Sequence, residues 1–176
     1  LSQRLGIRML DRELIDELWK NDPEMQRLAQ EYDERPVNRI LSRRINEFDN
    51  SIPHNVAQRQ FDMIRQIADS GESVIFVGRC ADYALAGRPG LLRIFCRADL
   101  GLRIRRIEQR HNLSKKKAAL LVAKTDRHRR VYYHHHTGQF WGHSSCYDLT
   151  VNTGVLGVEK TAETMEAFIR AFWEQD

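Results

Sequence analysis

Three short apolar runs in this sequence end in charge. Asp11 follows Ile7–Leu10, Gly78-Arg79 follows Val74–Val77, and Arg97-Ala98-Asp99 follows Leu91–Cys96. If the runs are parallel strands, their carboxyl ends face one crevice, where ligands of open α/β sheets collect. One carboxylate and two guanidinium groups would then meet there. Arginine suits an anion because its planar fork holds phosphate oxygens in a two-pronged grip. The competing reading of Arg79 is an ion pair at a strand end.

A second group of charges has helical spacing. Within Leu100–Arg110, Leu100, Ile104 and Ile107 make an apolar stripe, and Arg103, Arg106 and Arg110 fall on another face. Three cations on one face repel one another unless an anion lies among them, so phosphate would relieve the cost. A solvated cationic face is the alternative. Further on come Lys124, Asp126, Arg127, Arg129 and Arg130. Asp126 is three and four residues from Arg129 and Arg130, so that pairing predicts mutual orientation on one helix face, or simply a helix salt bridge.

Two tempting features carry less. His134-His135-His136 cannot all ligate one ion while helical, because consecutive side chains point about 100° apart. Cys80, Cys96 and Cys146 are odd in number, far apart and without a C-x-x-C pair, which suits small apolar residues in a reducing compartment.

The elements that must position these groups are legible in outline. Leu1–Leu5 reads as the end of a helix stopped by Gly6, and Ile7–Leu10 as a strand. Arg12–Trp19, a start at Pro23-Glu24, Val37–Phe48 and Asn55–Asp69 read as helical, the last with Val56, Phe61, Ile64, Ile67 and Ala68 on one stripe. Ser73–Val77, Leu91–Cys96 and Tyr147–Asn152 are runs of strand length, as strands covered on both faces require. Helices at Ala81–Ala86, Leu100–Arg110, Ser114–His135 and Val158–Trp173 lie between and after them. The alternation predicts an α/β fold, a three-layer, mainly parallel sheet with helices on both faces. Aliphatic residues are few in the long polar helix (Ala118, Leu121 and Val122), which suggests a mobile flap.

With 176 residues, 41% of them apolar, the chain can bury a core without disulfides or metals. No apolar run approaches the length of a membrane span, and Leu1–Leu10 has no signal-peptide cleavage pattern, so a soluble, cytoplasmic protein is expected. Net charge is +4, but residues 97–130 hold 12 Lys/Arg against three acids, a net of +9, leaving −5 for the rest. That asymmetry points to an anionic partner, either nucleic acid or a phosphorylated small molecule.

The stretches Leu-Gly-Ile-Arg-Met-Leu-Asp-Arg-Glu-Leu-Ile (Leu5–Ile15), Val-Gly-Arg-Cys-Ala-Asp-Tyr (Val77–Tyr83), Lys-Thr-Asp-Arg-His-Arg-Arg-Val-Tyr-Tyr (Lys124–Tyr133) and Tyr-Asp-Leu-Thr-Val-Asn-Thr (Tyr147–Thr153) resemble the cytidylate kinase-like family. With Thr-Gly-x-x-Trp-Gly (Thr137–Gly142), the likeness runs in order along nearly the whole chain. It implies a P-loop kinase-like fold as a single domain, with a helical lid at about 111–145. It further implies ATP as donor with Mg²⁺, and a nucleoside monophosphate or similar small molecule as acceptor. Asp11 and Arg129 are the implied catalytic residues, with Asp11 near the transferring group or a magnesium-bound water. Arg79 is implied to hold the acceptor phosphate, with Arg103, Arg106, Asp126 and Arg130 contributing to substrate binding.

One departure is plain: no G-x-x-x-x-G-K-[ST] loop occurs in Leu1–Asp176. The resemblance places that loop after a central first strand, so an N-terminal piece is expected to be missing and the sheet to show a gap. The leading expectation is phosphoryl transfer from ATP to a nucleoside monophosphate. The alternative is a kinase-fold nucleotide-binding or regulatory module without turnover. A basic nucleic-acid-binding domain stands third, because aromatic residues for base stacking are sparse in the basic segment.

Overall fold

A computed structural model of the chain describes residues 1–11, 20, 23, 26, 27 and 51–174. The helices expected at Arg12–Trp19 and Val37–Phe48 lie outside these residues, as does most of the one starting at Pro23.

The described elements are, in order, α1 (Ser2–Leu5), β1 (Arg8–Leu10), α2 (Ser51–Asp69), β2 (Val74–Phe76), α3 (Ala81–Ala84), β3 (Ile94–Arg97), α4 (Leu100–His111), α5 (Lys115–Thr137), a 3-10 turn at Ser144–Cys146, β4 (Leu149–Asn152) and α6 (Gly157–Trp173). All four expected strands form, with ends shifted by one to three residues, and β3 runs one residue further, to Arg97.

The strands make two parallel pairs. Arg8, Met9 and Leu10 of β1 stand opposite Val74, Ile75 and Phe76 of β2. Ile94 to Arg97 of β3 stand opposite Leu149 to Asn152 of β4. Parallel neighbours need a long crossover, and helical segments occupy both connections. Among the described residues the pairs are not bonded to each other, so the mixed α/β class is seen as two small parallel sheets rather than one.

Helix ends follow local chemistry. Gly6 closes α1 in the left-handed conformation, φ 67°. Asn112 ends α4 the same way, and the Ser114 hydroxyl accepts the Lys117 N–H to start α5. The main core gathers Leu10 of β1, Ala57, Phe61 and Ile64 of α2, Ala81 and Ala84 of α3, Leu85, and Tyr132 and Tyr133 of α5. Phe61 and Ile64 are essentially sealed from water, each contributing about 1.5–3 kcal/mol by burial. α5 is held more firmly than its aliphatic count suggests. Ala118 and Val122 are buried near its start, and two tyrosine rings bury its far end.

At the other side of the fold Arg4 on α1 reaches Glu159, Glu163 and Glu166 on α6, tying the first helix to the last.

Candidate functional site at the strand carboxyl ends

Parallel register brings the ends of β1 and β2 together, and with them Asp11 and Arg79. The Val77 N–H bonds to the Leu10 carbonyl at 2.9 Å, carrying the pairing one residue past β2. The chain then turns through three successive left-handed residues: Gly78 at φ 74°, Arg79 at 58° and Cys80 at 52°. Glycine adopts this conformation freely, whereas for the two side-chain-bearing residues it costs roughly 1–2 kcal/mol each. Such costs persist only where the surroundings impose them, and they cluster at functional sites.

The turn buries Arg79 almost completely while leaving Asp11 half-exposed; Arg79 Nη2 and Asp11 Oδ1 are 3.7 Å apart. The Nε and Nη1 atoms of Arg79 are buried with the rest of its side chain.

The second pair of strands ends in a polar cluster. Thr153, directly after β4, donates its N–H to the Arg97 carbonyl at 2.8 Å. Arg106 of α4 donates to the Thr153 hydroxyl at 3.2 Å, which fixes this turn to the helix. Asn152 spans the same region, accepting from the Gly154 N–H and donating to Asp99. Arg97 is itself largely exposed, only loosely paired with Asp99 at 4.0 Å.

The intrahelical pairing expected for Asp126 is not the one that organises it. Both of its oxygens are taken by Arg103 on the neighbouring helix, at 2.8 and 2.5 Å. Asp126 faces α4 and is buried, whereas Arg129 and Arg130 point along the exposed side of α5. A two-pronged fork-to-carboxylate bond between neighbouring helices outcompetes a flexible pairing along one helix. The hydrogen bonds from Asp126 also raise the Arg103 pKa above its ordinary value. Part of the compensation sought for the arginine face is therefore internal: Asp126 supplies a counter-charge to Arg103, and Thr153 supplies a neutral acceptor to Arg106.

Other contributors carried no distinctive signal in the sequence. Tyr133 donates to Asp82 Oδ2 at 2.6 Å, and the Gln139 side-chain amide lies 3.2 Å from the same hydroxyl. Burial, with Asp82 adding to it, pushes the Tyr133 pKa far above the ordinary tyrosine value. At the opposite ends of β3 and β4, Arg93 holds both oxygens of Asp148 at 3.1 and 2.7 Å. These partners lie 51 and 55 residues apart, beyond any spacing rule.

The imidazoles of His134, His135 and His136 serve packing. His134 stacks on Phe140, and His136 contacts the Phe61 and Tyr132 rings. Among the described residues no group of three His, Cys, Asp or Glu side chains could hold a metal by itself, and no described helix is long and apolar enough to cross a membrane. Among the cysteines, Cys80 and Cys146 are buried, as expected, and Cys96 is exposed.

Parallel strands joined by helical crossovers, with charged and polar groups gathered at their carboxyl ends, define an α/β protein. The family model of the cytidylate kinase-like family matches residues 1–155, and the chain belongs to that family. A crystal structure of an uncharacterised protein from Eubacterium ventriosum ATCC 27560 is similar to it, with a TM-score of 0.73 and 25% identity over 97% of this chain and 87% of that one. No curated protein matches the chain.

Proposed function

We propose that this protein transfers a phosphoryl group from ATP to a nucleoside monophosphate, cytidylate or a similar small acceptor. One observation carries the reading. Arg79 is buried at the carboxyl end of β2, presented by a left-handed turn, with the Asp11 carboxylate beside it at the end of β1. A fixed guanidinium suits the acceptor phosphate, and a half-exposed carboxylate suits a cation or its water.

Asp11 fits Mg²⁺ in the manner usual for nucleotide enzymes, where one or two carboxylates complete a shell supplied mostly by phosphates and water. The ion would neutralise charge on the donor's phosphates. The protein's own part is positioning: Arg79 orients the acceptor, and Arg129 and Arg130 on α5 lend positive charge to the transferring group. Asp126, on the lid at about 111–145, is held by Arg103 of the preceding helix α4, and Arg106 ties that helix to the turn after β4. In this reading the two parallel pairs belong to one three-layer sheet and the chain acts as a single domain, with lid closure excluding water.

The experiment is a calorimetric titration of CMP and other nucleoside monophosphates, followed by ADP release from Mg²⁺-ATP with and without acceptor. Binding with acceptor-dependent ADP release supports the proposal. Binding without phosphoryl transfer would leave a nucleotide-binding module instead, and absence of binding would overturn both readings.

A further inference from the structure

We propose that Tyr133, through Asp82, is a positioning residue for Arg79. The inference rests on the reading of Arg79 as the acceptor-phosphate ligand. Its basis is the way the 78–80 turn is clamped.

Two adjacent side-chain-bearing residues in the left-handed region would relax if the chain around them could move. α3 begins directly after them, and its first bonds belong to the turn: Ala81 N–H to the Gly78 carbonyl, and Tyr83 N–H and Ala84 N–H to the Cys80 carbonyl. Arg79 therefore moves with α3. A four-residue helix has little stability of its own and takes its place from tertiary contacts.

Three such contacts are present. Cys80, Ala81 and Ala84 are buried in the main core. Arg65 of α2 donates to the Ala84 carbonyl at 3.1 Å, holding the far end. At the near end, Asp82 lies three residues from Arg79 and takes the Tyr133 hydroxyl at 2.6 Å.

The core contacts are apolar and fix depth. The Tyr133–Asp82 bond is directional, so it fixes rotation of the first turn and hence the aim of the Arg79 guanidinium. Tyr133 is well suited to this because its ring is itself locked in the core, and its hydroxyl stays protonated at any ordinary pH. It lies on α5, seven residues from Asp126, which Arg103 anchors to α4. The long helix therefore links the turn bearing Arg79 to the helices that follow β3.

The test is a double-mutant cycle on the purified protein, read by calorimetric titration of CMP. Tyr133→Phe keeps the ring and removes the hydroxyl, and should weaken CMP binding about threefold to tenfold. Asp82→Ala should do the same, whereas Asp82→Asn, which keeps an accepting oxygen, should stay near wild type. In an Arg79→Lys background, Tyr133→Phe should add nothing. Multiplying effects, or wild-type affinity in Tyr133→Phe, would overturn the inference.

A second measurement separates this from the function itself: hydrogen exchange at the amides of residues 79–82 should quicken in Tyr133→Phe while exchange at Val74–Phe76 does not. If wild-type protein binds no nucleoside monophosphate, the functional reading falls, and the exchange result alone decides whether Tyr133 holds the turn. Unchanged exchange there would overturn the inference even if CMP binds. Should Tyr133→Phe fail to fold, the Asp82→Ala and Asp82→Asn pair carries both readouts.

Discussion

Arg103 of α4 grips Asp126 of α5 with both terminal nitrogens, across a contact where the carboxylate is nearly sealed from water. Bidentate arginine–carboxylate pairs are among the stronger polar contacts. Asp126→Asn should lower unfolding free energy by about 1.5–3 kcal/mol. Urea denaturation checks this, and an unchanged midpoint would mean that the pair is worth no more than a surface salt bridge.

Arg79→Lys tests the grip on the acceptor. A point charge cannot reproduce the guanidinium fork, and a hydrogen bond to a charged group contributes roughly 1.5–3 kcal/mol. Affinity for CMP should fall about tenfold to a hundredfold, while ATP affinity changes little. Equal CMP affinities would return Arg79 to a structural ion pair with Asp11.

Acid sensitivity should be traceable to Asp148. The hydrogen bonds from Arg93 hold its carboxyl below the ordinary aspartate range. A depressed folded pKa contributes stability that is present above the unfolded value, near 3.9, and is lost as pH falls through the folded one. Asp148→Asn removes that titration. Its stability should fall less steeply than wild type below about pH 4, measured as urea midpoints across the acid range. Parallel curves would contradict the assignment.

Of the three thiols, Cys96 should be the one that alkylates in the native protein, since Cys80 and Cys146 are buried. Partial desolvation raises its pKa, so the thiolate is scarce at neutral pH. Iodoacetamide labelling followed by peptide mass spectrometry should show slow modification at pH 7, confined to Cys96 and accelerating at alkaline pH. Rapid labelling at pH 7 would argue against the raised pKa.

Gly142 sits at φ 79° with its α-carbon against the Phe95 ring, and an added Cβ would lie 2.9 Å from a ring carbon. Phe95 also packs against Trp141 and Tyr147, so it has little room to yield. Gly142→Ala combines a left-handed alanine with overpacking and should cost about 2–4 kcal/mol. Thermal unfolding checks it. A wild-type melting temperature would mean that the loop rearranges without penalty.

Much of the frame was legible because it rests on local rules. Apolar runs of strand length predicted all four strands, the left-handed glycine predicted the stop at Gly6, and helical stripes placed α2 and α4. Parallel strands also put Asp11 and Arg79 at the same edge, since chain direction determines which end a following residue occupies. The family, too, could be recognised from short stretches in order. What the sequence could not decide is which charges meet. Asp126 has candidate partners three and four residues away, yet it bonds to Arg103, because a two-pronged grip from the facing helix outweighs proximity along one helix. Tyr133 reaches Asp82, and Arg93 reaches Asp148, across more than fifty residues each. The hold on α5 was likewise underestimated from its few aliphatics, because tyrosine rings near its end supply the burial. Periodicity reports which face of an element is apolar; only packing in three dimensions determines what that face, and the charges beside it, will touch.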